Sequence, residues 1–351
     1  MKEQSSLKPH CPVSTSDAGE RVTLAHGEGG RMMRRLIREC IVPPLNNKLL
    51  SPQDDAAKLP EIHGSLCTTT DSFVITPLVF PGGDIGSLAV FGTVNDLAVS
   101  GARPMYLTLS LIIEEGLPLS LLERIVQSVS QAAALANVSI VCGDTKVVPR
   151  GAADGLFINT TGIGQLVEPS LPGPKALATG DELLVTGAMG CNGIAVLCTR
   201  EELGFAPPPK SDLACLAAPA ALLHQRLGAR LKAMRDATRG GVAAVLHEWA
   251  EASGLTLTID EQDLPVSSAV RGACELLGLD PLHVANEGTM VVAVESGAAS
   301  EAIEVLRAVD LQACRIGSVA PRGVSPVTIQ RILGARQALD DPLGAPLPRI
   351  C

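Results

Sequence analysis

Short acidic elements recur along this sequence at the ends of apolar runs or on the first turns of helical patterns: Asp54-Asp55, Asp71, Asn95-Asp96, Asp144 and Asp236. Oxygen ligands converging from several loop ends are what a magnesium–triphosphate requires, because Mg²⁺ takes hard oxygen donors and shares its shell with phosphate. Any one of these residues alone is more often a turn former or a helix cap; it is their recurrence that points to a nucleotide held through a metal. Two glycine-rich turns, Gly27-Glu28-Gly29-Gly30 and Gly240-Gly241, lead into helical patterns. Their backbone N–H groups can face a phosphate, although plain turn geometry accounts for them on spacing alone. Neither G-x-x-x-x-G-K-[ST] nor a strand-linked G-x-G-x-x-G occurs, so a nucleotide would be held without those cradles.

Three further residues carry reactive groups. Lys146 follows Gly143-Asp144-Thr145 at the end of an apolar run. A lysine there neutralises phosphate, or acts as a base if burial lowers its proton affinity; in isolation it is a solvated surface residue. Glu287, between Asn286 and Gly288, is equally open, and Gly288 would let a ligand approach closely. Cys351 ends the sequence on the stretch Asp341-Pro-Leu-Gly-Ala-Pro-Leu-Pro-Arg-Ile-Cys351. Three prolines and no periodicity predict an extended, mobile arm that can carry a thiol into a site and out again. Arg349 would steer such an arm towards phosphates or an acidic pocket.

The elements that must position these groups read as alternating strands and helices. Strands are expected over 66–75, carrying Asp71, over 138–142, ending at the Gly143–Lys146 motif, and over 156–163, 183–186, 255–259 and 290–294. Helices are expected from about Ser87 to Gly101, carrying Asn95 and Asp96, and from a capping box at Ser120-Leu-Leu-Glu123 to Ala136. Further helices fit 193–203, 217–227, the segment with Val245 and Trp249, 267–277 and 301–309. This mixture predicts an α/β (mixed α+β) fold. A length of 351 residues accommodates two domains, and the stretch 168–174, with three prolines, divides them. The expected divisions are a mobile N-terminal segment (1–22), an N-terminal domain (23–168), a C-terminal domain (175–338) and the tail (339–351). Aromatic residues make up only 2%, so the cores must be built from Ala, Val, Leu and Ile. A net charge of −9 excludes broad attraction to nucleic acid and requires phosphates to be neutralised locally. The ten cysteines include no C-x-x-C pair and no zinc or iron–sulfur spacing. With no signal peptide or membrane-spanning run, they are expected as free thiols in a cytoplasmic protein without membrane partners.

Together these motifs resemble the HypE family of hydrogenase maturation proteins, within the superfamily of aminoimidazole ribonucleotide synthetase and selenophosphate synthetase. The resemblance runs through Ala25-His-Gly-Glu-Gly-Gly30, Asp54-Asp-Ala-Ala57, Thr70-Asp-Ser72, Phe80-Pro-Gly-Gly83, Gly92–Gly101, Gly143–Val148, Arg235–Gly241 and Ala285–Gly288. The terminal Pro348-Arg-Ile-Cys351 singles out HypE within the superfamily. The resemblance implies two α/β domains and a homodimer formed by the N-terminal domains through a β-barrel-like core. It implies ATP held by Asp71, Asn95, Asp96, Thr145, Gly240 and Gly241, with both subunits able to contribute, and Mg²⁺ held by Asp55, Asp96, Asp144 and Asp236. The implied activity is ATP-dependent dehydration of a carbamoyl group carried on Cys351 to a thiocyanate, with Lys146 and Glu287 in the proton traffic and their order left open. The implied partners are the carbamoyltransferase HypF and the iron-carrying HypC–HypD complex. One departure stands out: where family members carry Gly-Asp-His-Gly, this chain reads Gly190-Cys191-Asn192-Gly193. A non-catalytic carrier in the same pathway and a small-molecule kinase of the superfamily are the competing readings.

Overall fold

Thr68, Thr70 and Ser72 alternate with Cys67, Thr69, Asp71 and Phe73, and this two-residue period forms the first strand of the computed structural model, which describes residues 21–341 together with Gly344, Leu347 and Arg349. The first half runs α1 (Arg31–Leu36), a π turn (Ile37–Ile41), α2 (Val42–Leu45), β1 (Leu66–Phe73), β2 (Val79–Phe80), β3 (Gly83–Asp84), α3 (Ile85–Val99), β4 (Ala102–Glu114), α4 (Leu119–Leu135), β5 (Ser139–Val148) and β6 (Leu156–Leu166). The second half runs β7 (Glu182–Val185), α5 (Cys191–Arg200), α6 (Ala217–Leu227), β8 (Leu231–Asp236), α7 (Gly241–Ser253), β9 (Thr256–Asp260), α8 (Ser268–Leu277), β10 (Met290–Val294), α9 (Ala299–Arg307), β11 (Cys314–Ala320), β12 (Val327–Gln330) and β13 (Arg336–Ala338).

The first half builds a four-stranded sheet in the order β1-β6-β4-β5, in which only β4 and β5 are parallel. One row crosses it completely: Asp71 lies opposite Thr160, Thr160 opposite Leu109, and Leu109 opposite Gly143. The sheet is open along β1 and β5, and the described residues contain no closed barrel. Helix α3 is apolar nearly all round because it is enclosed on every side, by the sheet, α4, α6 and β8. It begins at Ile85, two residues before the sequence reading, because Asp84 caps it by accepting from the Ser87 N–H at 2.9 Å. The expected capping box at Ser120 does not form; α4 starts at Leu119 with Pro118 at the cap position. Strand β5 does not end at Gly143 but continues through Lys146 to Val148, held by its ladder to β4.

The second half builds a seven-stranded sheet in the order β13-β12-β9-β11-β7-β10-β8. Its central strands β7 and β10 are buried on both faces, as a sheet covered on both sides requires. Leu183 and Val185 face the cluster containing α7, whereas Leu184 faces the one containing α6 and α9. Two core clusters join the halves: one unites α3, α4 and the first sheet with Ile194, Val270, Val284, Ala285 and Leu347, and the other packs Ala98 and Val99 of α3 against Leu184 and the α6–α9 face of the second sheet. No helix among the described residues is long and apolar enough to cross a membrane.

Candidate active site

Where the two halves meet, four carboxylates converge from separate elements: Asp71 on β1, Asp96 on α3, Asp236 at the end of β8 and Glu287 in the turn before β10. Thr69 Oγ1 donates to Asp96 Oδ2 at 2.9 Å. Burial, the charge of Asp96 and a hydrogen bond shared with it raise Asp71 to about 6, against the pull of Arg239. Burial and then Asp96 raise Asp236, 5% exposed, to about 7. Glu287, 3% exposed, is pushed well above the ordinary carboxylate range by burial first and then by Asp236, Asp212 and Asp71. Its Oε1 is buried with no hydrogen-bond partner. Desolvated carboxylates repelling one another in a cleft are a functional-site signature.

The backbone around them is tightly fixed. The Ala237 N–H donates to Thr289 O and the Asn286 N–H to Ala237 O, so the turns carrying Asp236 and Glu287 are stitched together. Gly241 has φ +62° and lies so close to residues 282–284 that a Cβ would stand 2.5 Å from Leu282 O; only glycine fits. Its N–H is already committed to Thr238 O. The Asn95 amide is likewise engaged: Oδ1 accepts from Leu216 N at 2.7 Å, and Nδ2 donates to Ala214 O at 3.0 Å and more weakly to Glu287 O at 3.4 Å. Asn95 thus fastens the 212–216 segment to α3.

The other site residues from the sequence lie elsewhere. Asp55, Asp144 and Thr145 line a pocket of about 640 Å³ against β5, together with apolar residues of α1 and α2. Lys146 is exposed beside it and pairs with Asp144 at 3.3 Å. The Gly27 turn abuts the same strand, a Cβ there reaching within 2.7 Å of Val147 N. Three strand spacings separate the β1 and β5 ends of the Asp71–Gly143 row, about 14 Å. Asp55, Asp144 and Lys146 thus lie on the β5 side of the first sheet, whereas Asp71 lies on its β1 edge.

Cys351 lies outside the described residues, but two nearby tail residues are anchored. Leu347 is buried beside Gly193, next to Val284 and Ala285. The Arg349 guanidinium donates to Asp154, and its carbonyl accepts from Arg200, whose Nε also holds Thr76 O at 2.9 Å. The departing Cys191-Asn192 pair opens α5 in the same neighbourhood. Asn192 is fully buried and accepts from Ser211 Oγ at 2.8 Å; burial, and then Asp212, push the Cys191 thiol up to about 12. Asp212, Asp154 and Arg200 carry no mark in the sequence, and Arg239 enters there only as part of the Arg235–Gly241 motif. The Pro207-Pro-Pro-Lys-Ser-Asp212 stretch carries turn signals, but its partners come from loops far along the chain.

The carboxylate cluster suits a hard cation by donor chemistry. No three His, Cys, Asp or Glu among the described residues form a cage by themselves. One or two carboxylates completed by water and phosphate oxygens is the form Mg²⁺ binding usually takes.

The two sheets, meeting at an acidic cluster, fall in the two domains of the AIR synthase related proteins. The N-terminal domain of that family matches residues 53–166 and its C-terminal domain residues 178–330. The carbamoyl dehydratase HypE of Escherichia coli (strain K12) is 46% identical over 337 residues, 94% of this chain and 99% of that protein. A crystal structure of the hydrogenase maturation protein HypE in complex with ATP superimposes with a TM-score of 0.86 at 42% identity, covering 94% of this chain and 99% of that one. A HypE–HypF complex matches with a TM-score of 0.76 at 44% identity, over 89% and 100% of the two chains. The chain belongs to the carbamoyl dehydratase HypE family of enzymes.

Proposed function

We propose that this enzyme dehydrates a carbamoyl group, carried as a thiocarbamate on the Cys351 sulfur, to a thiocyanate at the expense of ATP. The product supplies the cyanide ligands of the NiFe hydrogenase iron. An amide oxygen is a poor leaving group; phosphorylated by ATP, it departs as phosphate. Two protons leave the nitrogen, giving S–C≡N, ADP and phosphate. The observation that carries this reading is Glu287, a buried carboxyl with a free oxygen, set two residues beyond Ala285 in the region where tail residue Leu347 is seated. A group that takes a proton from the carbamoyl nitrogen needs such an oxygen, shielded from water that would hydrolyse the activated carbamoyl.

Asp71, Asp96 and Asp236 would hold Mg²⁺, which when bound offsets the charge of the phosphates. Gly240-Gly241 opens α7 beside them, and Asn95 acts by fixing the surrounding backbone. Asp55, Asp144, Thr145 and Lys146 lie on the opposite sheet edge, about 14 Å away by strand spacing. That separation supports a homodimer in which the open sheets pair and the β5 edge of one subunit contributes to the site of the other, with Lys146 facing phosphate or taking the second proton. HypF would load the carbamoyl group, and a HypC–HypD complex would receive the cyanide. The test loads the purified protein with HypF, adds Mg·ATP and weighs the C-terminal peptide. Loss of one water, abolished by Cys351→Ala and by omitting ATP, is the expected result. A carbamoyl group that persists on Cys351 despite ATP would overturn it.

A further inference from the structure

We propose that Asp212 is a positioning residue that holds Glu287 for the dehydration step; the inference rests on the role of Glu287 given above. The Asp212 carboxylate accepts from three donors of the 286–288 turn: Asn286 Nδ2 at 3.1 Å, Glu287 N at 3.2 and 3.3 Å, and Gly288 N at 3.0 Å. The two backbones touch so closely that a Cβ on Gly288 would stand 1.8 Å from Asp212 O. The Glu287 carbonyl accepts in turn from Ala214 N and Asn95 Nδ2, each at 3.4 Å. Both backbone polar atoms of Glu287 are thus held by the 212–214 segment and Asn95, whereas its carboxyl Oε1 is held by nothing. A proton-transferring carboxyl must keep an oxygen free for the substrate, so its placement has to come from the main chain, and Asp212 is the side chain that supplies most of that restraint.

Asp212→Ala removes all of these acceptors, whereas Asp212→Asn keeps one oxygen for the two backbone N–H groups. With the tail preloaded with carbamoyl, Asp212→Ala should slow single-turnover dehydration about 100-fold, the scale of a misplacement of roughly 1 Å. ATP affinity should change less than about threefold, and Asp212→Asn should lose less than about tenfold. Hydrogen exchange in the peptide spanning residues 284–290 should accelerate in Asp212→Ala while α3 and β8 keep their protection. Dehydration at the wild-type rate, or parallel loss of ATP binding and dehydration, would overturn the proposal. Wild-type protein that fails to dehydrate its loaded tail would instead refute the reaction itself; unchanged exchange at 284–290 would then still refute the positioning.

Discussion

Neutralising Asp236 should stabilise the ligand-free protein, and the gain should grow with pH. Burial and neighbouring Asp96 raise this carboxyl from 3.8 to about 7. The folded state therefore holds its proton more tightly than the unfolded chain. Between about pH 4 and pH 7 the native protein binds more protons, so stability falls as pH rises through this window and levels off above it. A displacement of that size corresponds to roughly 4 kcal/mol, about 2–3 of which is lost between about pH 5 and pH 8. Asp236→Asn is nearly isosteric and removes the charge. It should raise Tm by several degrees at about pH 8, match wild type more closely at about pH 5, and flatten the pH slope. The assay is thermal unfolding across this range in chelator-treated protein without nucleotide. Equal pH slopes for variant and wild type, or a variant less stable at about pH 8, would refute the claim that Asp236 sits in uncompensated negative charge. The variant should also lose ATP-driven dehydration, because the oxygen proposed to meet the cation would be half replaced by an amide.

Asn95→Ala strands the buried Leu216 N–H and the partly buried Ala214 carbonyl; at roughly 1–3 kcal/mol for each unsatisfied group, denaturant unfolding should show a loss of about 2–6 kcal/mol. Because burial and Asp212 push the Cys191 thiol up to about 12, iodoacetamide at neutral pH should leave it unmodified in the native protein. Cys191→Ala should keep dehydration within about threefold, since the observed role of this loop is packing and support. The Arg349–Asp154 pair is solvent-screened, with the arginine side chain 61% exposed. Asp154→Ala should therefore slow turnover of the loaded tail less than about fivefold; a loss of a hundredfold would show that the tail depends on this contact far more than an exposed ion pair allows.

The residue types of the acidic cluster were legible in the sequence, but their grouping was not. Asp71, Asp96, Asp236 and Glu287 all stood out by type and setting, as did Asp55, Asp144 and Lys146. Which belong together depends on the strand order β1-β6-β4-β5, which sets Asp71 and Asp144 on opposite edges, and no local signal encodes that order. Most helices and several strands were visible as periodicity, β10 to the residue. Strand β4 was missed although Leu107, Leu109, Leu111 and Ile113 alternate with Thr108, Ser110 and Ile112, because Gly101-Ala-Arg-Pro104 at its start reads as a turn. Asn95 read as a ligand because Asn-Asp on a helix resembles one; its actual partners are main-chain atoms more than a hundred residues away. Asp212 was invisible for the same reason, since the donors it satisfies exist only once the 286–288 turn has folded against it.

The same separation explains how a site can gather so many buried carboxyls without losing its shape. The polar groups that build the frame—Asp212, Asn286 and the Asn95 amide—direct their hydrogen bonds to the backbone and, between Asn286 and Asp212, to each other. Asp71, Asp236 and Glu287 are left facing one another and Asp96. Their repulsion is therefore borne by protonation rather than by movement, because the frame that fixes them does not depend on it. A cation or phosphate-bound metal entering such a site displaces protons instead of having to remodel loops. Its binding is then coupled to pH through the carboxyls themselves, with affinity rising as Asp236 and Asp71 ionise. A site assembled the other way, with loops ordered only by the ligand, would show the reverse pattern: slow hydrogen exchange at 284–290 only when loaded, and little dependence of affinity on protonation.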